Sequence, residues 1–223
     1  MSHREIAEQL ESGLHLDVPV IALAFVDSAP PEVAQFEQEV PAACSFWRQA
    51  ETAVFYAPAA KHLNCPIGAM TMGFEMPETT QQRLMGLVTM MCENGYIAAD
   101  EPEKIPTSGK QAAGIVYGPL AELPVEPDLV LMWLTPRQAM LYSEAVGTAR
   151  WTTPAPATVW GRPACAALPG ALTSNRSTLS FGCTGMRTFT DVREDRLLAV
   201  LPGKQAREFA GSLSAVLESN EKM

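Results

Sequence analysis

Two uninterrupted apolar runs, VPVIALAFV at residues 18–26 and LVLMWL at 129–134, constrain this chain more than any other feature. Each is too short to span a bilayer, which takes about 20 residues. Each is also too continuous for a strand with one wet face, where polar and apolar side chains alternate. Both therefore read as strands covered on two faces. Helical periodicity lies around them. SHREIAEQLESGLHL opens with Ser2 as a cap and places Ile6, Leu10 and Leu14 on one face, and TTQQRLMGLVTMMCENGYI does the same with Leu84, Leu87, Val88 and Met91 before an Asn94-Gly95 stop. TPRQAMLYSEAV begins with Thr135 as cap and Pro136 at the first helical position. The terminal KQAREFAGSLSAVLESNEKM turns Phe209, Leu213 and Leu217 inward.

AGIVYGPL and RLLAVLPG supply further strands. PAACSFWRQAETAVFYAP shows helical spacing through Phe46, Ala50 and Ala53, stopped by Pro58, with Cys44 at its start. Residues 152–186, dense in Pro, Gly, Ser and Thr, read as loops and short strands. Strands alternating with helices predict an α/β fold, a mixed sheet flanked by helices, in a single domain over residues 1–223.

Charged residues make up only 18% against 47% hydrophobic, where an average chain carries about 25% charged. That predicts a large buried fraction or a buried subunit interface, hence a homo-oligomer. A net charge of −9 with no basic stripe argues against a nucleic-acid partner, whose phosphates are held by clustered Lys and Arg. The first turns are charged and lack a signal-peptide core, so the expectation is a cytoplasmic chain without a membrane partner. Five cysteines in a reducing compartment are then free or ligated rather than paired.

Four of the five fall at turns or element ends: Cys44, Cys65 in NCPIG, Cys165 after Arg162-Pro163, and Cys183 in FGCTGMR. Cys92 lies on a helix and reads as a small core hydrophobe. A weak internal echo links the other four. Strand 18–26 and strand 128–134 are each followed by a helix and then by two cysteines, and both second cysteines precede a nearby glycine. A duplication over about 17–100 and 112–203 would bring two cysteines from each half toward a pseudo-twofold axis.

Structural zinc usually takes Cys-x2–4-Cys knuckles, and none occurs here. A [4Fe-4S] cluster needs four thiolates and can draw them from separate loops, so Cys44, Cys65, Cys165 and Cys183 are its candidate ligands. Asn64, Gly68, Gly182 and Gly185 would let backbone N–H groups approach the cluster, with Arg187 alongside. Haem is the alternative cofactor, with Cys65-Pro66 as axial thiolate and His62 nearby. A metal-free alternative uses one reactive thiol, Cys183 with Arg187 four residues on, or Cys44 at a helix start. A third binds a small molecule without turnover through Asn175, Arg176, Ser177, Ser180, Thr184 and Arg187, or through Arg137 and Gln138 beyond strand 128–134. There is no Gly-x-Ser-x-Gly elbow, P-loop or HExxH helix, so no catalytic residue is assigned and the expected partner is a small-molecule ligand or a redox protein.

The series PVIALAF, CSFWRQA, FYAP…NCPIGAMTMG, PDLVLMWLTPRQAMLYSEA and NRSTLSFGCTGMR…LLAVLPG resembles the DUF169 family of bacterial and archaeal proteins from about residue 17 to 203. Its most specific segments are Pro-x-Gln-Ala-Met at Pro136 to Met140 and Gly-Cys-x-Gly-x-Arg at Gly182 to Arg187. The resemblance implies cysteines at the positions of Cys44, Cys65, Cys165 and Cys183 and assigns them no chemistry.

Overall fold

The computed structural model describes residues 1–147 and 157–223. The two apolar runs form β1 (Ile21–Val26) and β4 (Leu129–Leu134), which pair antiparallel with Ile21 opposite Leu131 and Leu23 opposite Leu129. The other strands are β2 (Phe55–Pro58), β3 (Gly114–Pro119), β5 (Thr158–Trp160), β6 (Thr178–Ser180) and β7 (Leu197–Pro202). They form one seven-stranded sheet in the order β2-β3-β1-β4-β7-β6-β5, so β1 and β4 are its centre. All neighbours are antiparallel except β5 and β6. The fold is a mixed sheet flanked by helices, an α/β protein.

Both faces of the sheet are covered, which explains the unbroken apolar runs. Leu129, Leu131 and Trp133 face one core, and Val130, Met132 and Leu134 face the other. The second core is closed by α1 (His3–Leu14), α6 (Pro136–Gly147) and α9 (Ala206–Glu221), through Leu10, Tyr142 and Phe209. The first is closed by α2 (Ser45–Gln49), α4 (Pro66–Met72) and α7 (Ala167–Ser174), through Trp47, Met72 and Leu168. Shorter α3 (Ala59–His62) and α8 (Thr184–Phe189) and the long α5 (Glu78–Glu93) complete the set.

The cap signals hold. Ser2 and Glu5 form a reciprocal capping box at α1. At α6, Gln138 Oε1 accepts the Thr135 N–H at 2.7 Å, and its Nε2 donates to the carbonyls of Leu14 and His15, each at 2.9 Å. Gln138 is thus a clamp between α1 and α6, and Arg137 beside it is exposed; neither lines the cysteine-bearing cavity described below.

Three expectations are corrected. The helix through Phe46, Ala50 and Ala53 ends at Gln49, and FYAP is strand β2. Phe55 and Ala57 face one core while Tyr56 faces the other, a period of two that pairing with β3 rewards. Within 152–186 the chain is more helical than loops and short strands: a 3-10 turn at Ala164–Ala166 runs into α7, and α8 follows Cys183. Pro169 and Gly170 argue against a helix on propensity, but Gly170 is required there, because a Cβ would meet Trp160 Nε1 at 2.5 Å. Residues 152–156 lie outside the described residues. Cys92, read as a core residue, is only partly buried on α5.

The expected order of strand, helix and two cysteines is met in the second half, where α6 follows β4, but not in the first, where no helix separates β1 from Cys44. Gln35 bridges Tyr56 of β2 in parallel, and Cys44, α2, β2, Cys65, α4 and β3 follow. In the second half β5 pairs with β6 in parallel, and Cys165, α7, β6, Cys183, α8 and β7 follow. β3 returns to pair with β1, and β7 returns to pair with β4. The β1–β4 pair lies at the centre of the sheet. Among the described residues no helix is long and apolar enough to cross a membrane.

Candidate four-cysteine site

Each cysteine of interest begins a segment that returns to the same face of the sheet. Cys44 precedes α2, Cys65 precedes α4, Cys165 sits in the 3-10 turn before α7, and Cys183 precedes α8. All four line one cavity of about 460 Å³. Cys65 and Cys183 are built alike. Each is the N-cap of a short helix, and its Sγ accepts the N–H three residues on, from Gly68 at 3.4 Å and from Met186 at 3.5 Å. Sulfur here replaces the oxygen that usually caps a first turn. Pro66 at the first position of α4 supplies the preset helical φ.

Cys44 and Cys165 are buried. Burial, with added repulsion from the neighbouring Cys65 and Cys183 thiols, pushes Cys44 up to about 12. Burial raises Cys165 further still; a hydrogen bond with Thr71 opposes this, and the other three thiols add to it. Both are therefore protonated and weakly nucleophilic at neutral pH, since the thiolate is the reactive form. Among the described residues no group of three or more His, Cys, Asp or Glu side chains could hold a metal ion. The thiols share a cavity wall rather than one point.

The remaining expected residues divide. Asn64 and Gly185 line the cavity, although the Asn64 amide donates away from it, to Glu39 Oε2 at 2.6 Å and to the Val40 carbonyl at 3.3 Å. Gly68 supplies its N–H to Cys65. Gly182, at φ +89°, makes the turn before Cys183. Arg187 donates to the carbonyls of Phe181, Arg193 and Arg196, at 2.8, 2.8 and 2.6 Å. It holds both ends of the Cys183 loop and does not line the cavity. Nor does His62, whose Nδ1 lies 3.1 Å from the Pro58 carbonyl and Nε2 3.0 Å from the Tyr117 hydroxyl. Neither ring nitrogen is left for a haem iron or a cysteine.

Gly68 is the tightest point. A Cβ there would meet the Ala43 Cβ at 2.6 Å and Cys65 Sγ at 3.2 Å, pressing on both cysteine segments of the first half. Gly68→Ala is expected to cost about 1–3 kcal/mol in urea unfolding, as overpacking does. Gly185→Ala, with nothing within 4 Å of its Cβ, should stay within about 0.5 kcal/mol of the parent. Equal midpoints for the two variants would contradict this packing.

Sequence reasoning missed the far wall. Leu87, Val88 and Met91 of α5 face the cavity, with Ile97 and Ile105 beyond. Its polar members are Arg83, Tyr96, Glu101 and Arg162, of which only Arg162 stood near one of the four cavity cysteines in the sequence.

A family model, DUF169, described as uncharacterised ArCR, matches residues 9–211, and the chain belongs to that family. No curated protein and no solved structure matches it.

Proposed function

We propose that this DUF169 chain binds a [4Fe-4S] cluster through Cys44, Cys65, Cys165 and Cys183 and serves redox or small-ligand chemistry. The observation that carries the reading is the arrival of four of the five cysteines, two from each half, on the wall of one cavity. A cluster is a body rather than a point, so thiols spread around a wall suit it better than they suit a single ion. The Gly68 and Met186 N–H groups already donate to two of the sulfurs, the kind of hydrogen bond that tunes cluster potential. Burial of Cys44 and Cys165 limits water at two of the sulfurs, a second lever on potential. Cys44 and Cys165 must lose protons on ligation, so loading should improve as pH rises. Held by all four thiolates, such a cluster would supply one-electron transfer; only with three of them bound would an open iron act as a Lewis acid.

The test is iron and acid-labile sulfide analysis, with a visible spectrum, on protein purified without oxygen. Near four of each per chain is expected, as a four-thiolate cubane requires. A colourless protein with neither iron nor sulfide overturns the reading, and a Soret band replaces it with haem.

A further inference from the structure

The cysteines occupy only part of the cavity. Its volume of about 460 Å³ falls in the range of small-molecule sites. Leu87, Val88 and Met91 of α5, with Ile97 and Ile105, make much of the remaining wall apolar. Among the polar groups, the Glu101 carboxylate accepts the Ala98 N–H at 2.9 Å. The Tyr96 hydroxyl donates to Thr184 Oγ1 at 3.2 Å. Its ring carries the Arg162 guanidinium 4.1 Å from the centroid. That contact holds Arg162 over a face pinned to the Cys183-capped helix, three residues before Cys165.

Two cations on this wall therefore have no ion pair with a carboxylate among the described residues. There Arg162 makes none, and Arg83 makes only a 3.4 Å hydrogen bond to the Asn64 carbonyl. A guanidinium fork matches carboxylate and phosphate oxygens. We infer that the cavity takes a small amphiphilic anion, an alkyl carboxylate or alkyl phosphate, with its apolar body against α5 and its head on Arg162 and Arg83. The inference rests on the cluster reading for the chemistry such a ligand would meet beside the cysteines, but not for its binding.

Calorimetric titration tests it, on protein purified without oxygen and again after chelation of any iron, with octanoate, octyl phosphate, octylamine and octanol as probes. Octanoate or octyl phosphate should bind at least about tenfold more tightly than octylamine and octanol; the tighter of the two identifies the head group. Arg162→Gln and Arg83→Gln should each weaken that binding about three- to tenfold, the lower figure reflecting solvent exposure. Val88→Trp, which fills the cavity from a partly exposed helix, should abolish it. Equal binding of octylamine or octanol, or unchanged binding in the arginine variants or in Val88→Trp, overturns the inference. Octanoate binding to a protein that never holds iron removes the cluster and keeps the anion site. An iron-loaded protein that binds neither anion keeps the cluster and removes the anion site.

Discussion

Serine in place of any one of Cys44, Cys65, Cys165 or Cys183 is expected to lower bound iron from about four per chain to less than one. Cys92→Ser, in a residue of α5 that does not line the cavity, should leave it unchanged. On the proposed cluster reading the four thiolates would act as a unit, because a cluster missing one of them exposes an iron and is easily lost. Serine at Cys44 or Cys165 also buries a hydroxyl, so the alanine variants and far-UV circular dichroism are needed to separate a lost ligand from a lost fold. The pattern across the four positions decides between chemistries. A protein using a single reactive thiol depends on one position only, and Cys44 and Cys165 are poor candidates, since burial holds both protonated. That alternative predicts sensitivity at Cys65 or Cys183 alone, with no iron at stake. Unchanged iron in all four serine variants would sink the cluster reading outright.

The sequence made some of this legible for definite physical reasons. β1 and β4 are apolar on both faces because each packs against helices on both sides, so two-sided burial was readable from the unbroken apolar runs. The cysteine set was readable because turns are marked by Pro and Gly, and all four sit at such marks. What escaped is equally instructive. Leu87, Val88 and Met91 have the spacing of a core face, and spacing does not say whether the face meets a core or a cavity. Gln138 and Arg187 are polar residues beside turns, which suited a ligand loop. In the fold both satisfy backbone carbonyls, the other task that such residues perform. The β2 segment shows the limit of local pattern, since its Phe55 and Tyr56 face opposite cores that only the sheet pairing creates.

Acid should weaken this fold through one residue close to the site. His62 is fully buried, with its ring centroid 4.8 Å from Phe46 and 4.6 Å from Phe74. The Pro58 carbonyl can only accept, so Nδ1 carries the proton, and Nε2 accepts from the Tyr117 hydroxyl. The neutral ring is thus satisfied at both nitrogens. Burial holds its pKa down to about 4, with the Pro58 hydrogen bond opposing, against an ordinary 6.5. The unfolded chain therefore binds the proton first. This contribution to stability is complete above pH 6.5 and is lost as pH falls from 6.5 toward 4, at about 1.4 kcal/mol per pH unit and about 3 kcal/mol in all. Urea midpoints from pH 7 to 4.5 should fall steeply in the parent protein. His62→Gln should start lower at pH 7 and decline less. Carboxylates held low by their partners, Asp191 and Asp195 among them, titrate in both proteins and cancel in the comparison. Parallel declines would remove His62 as the cause.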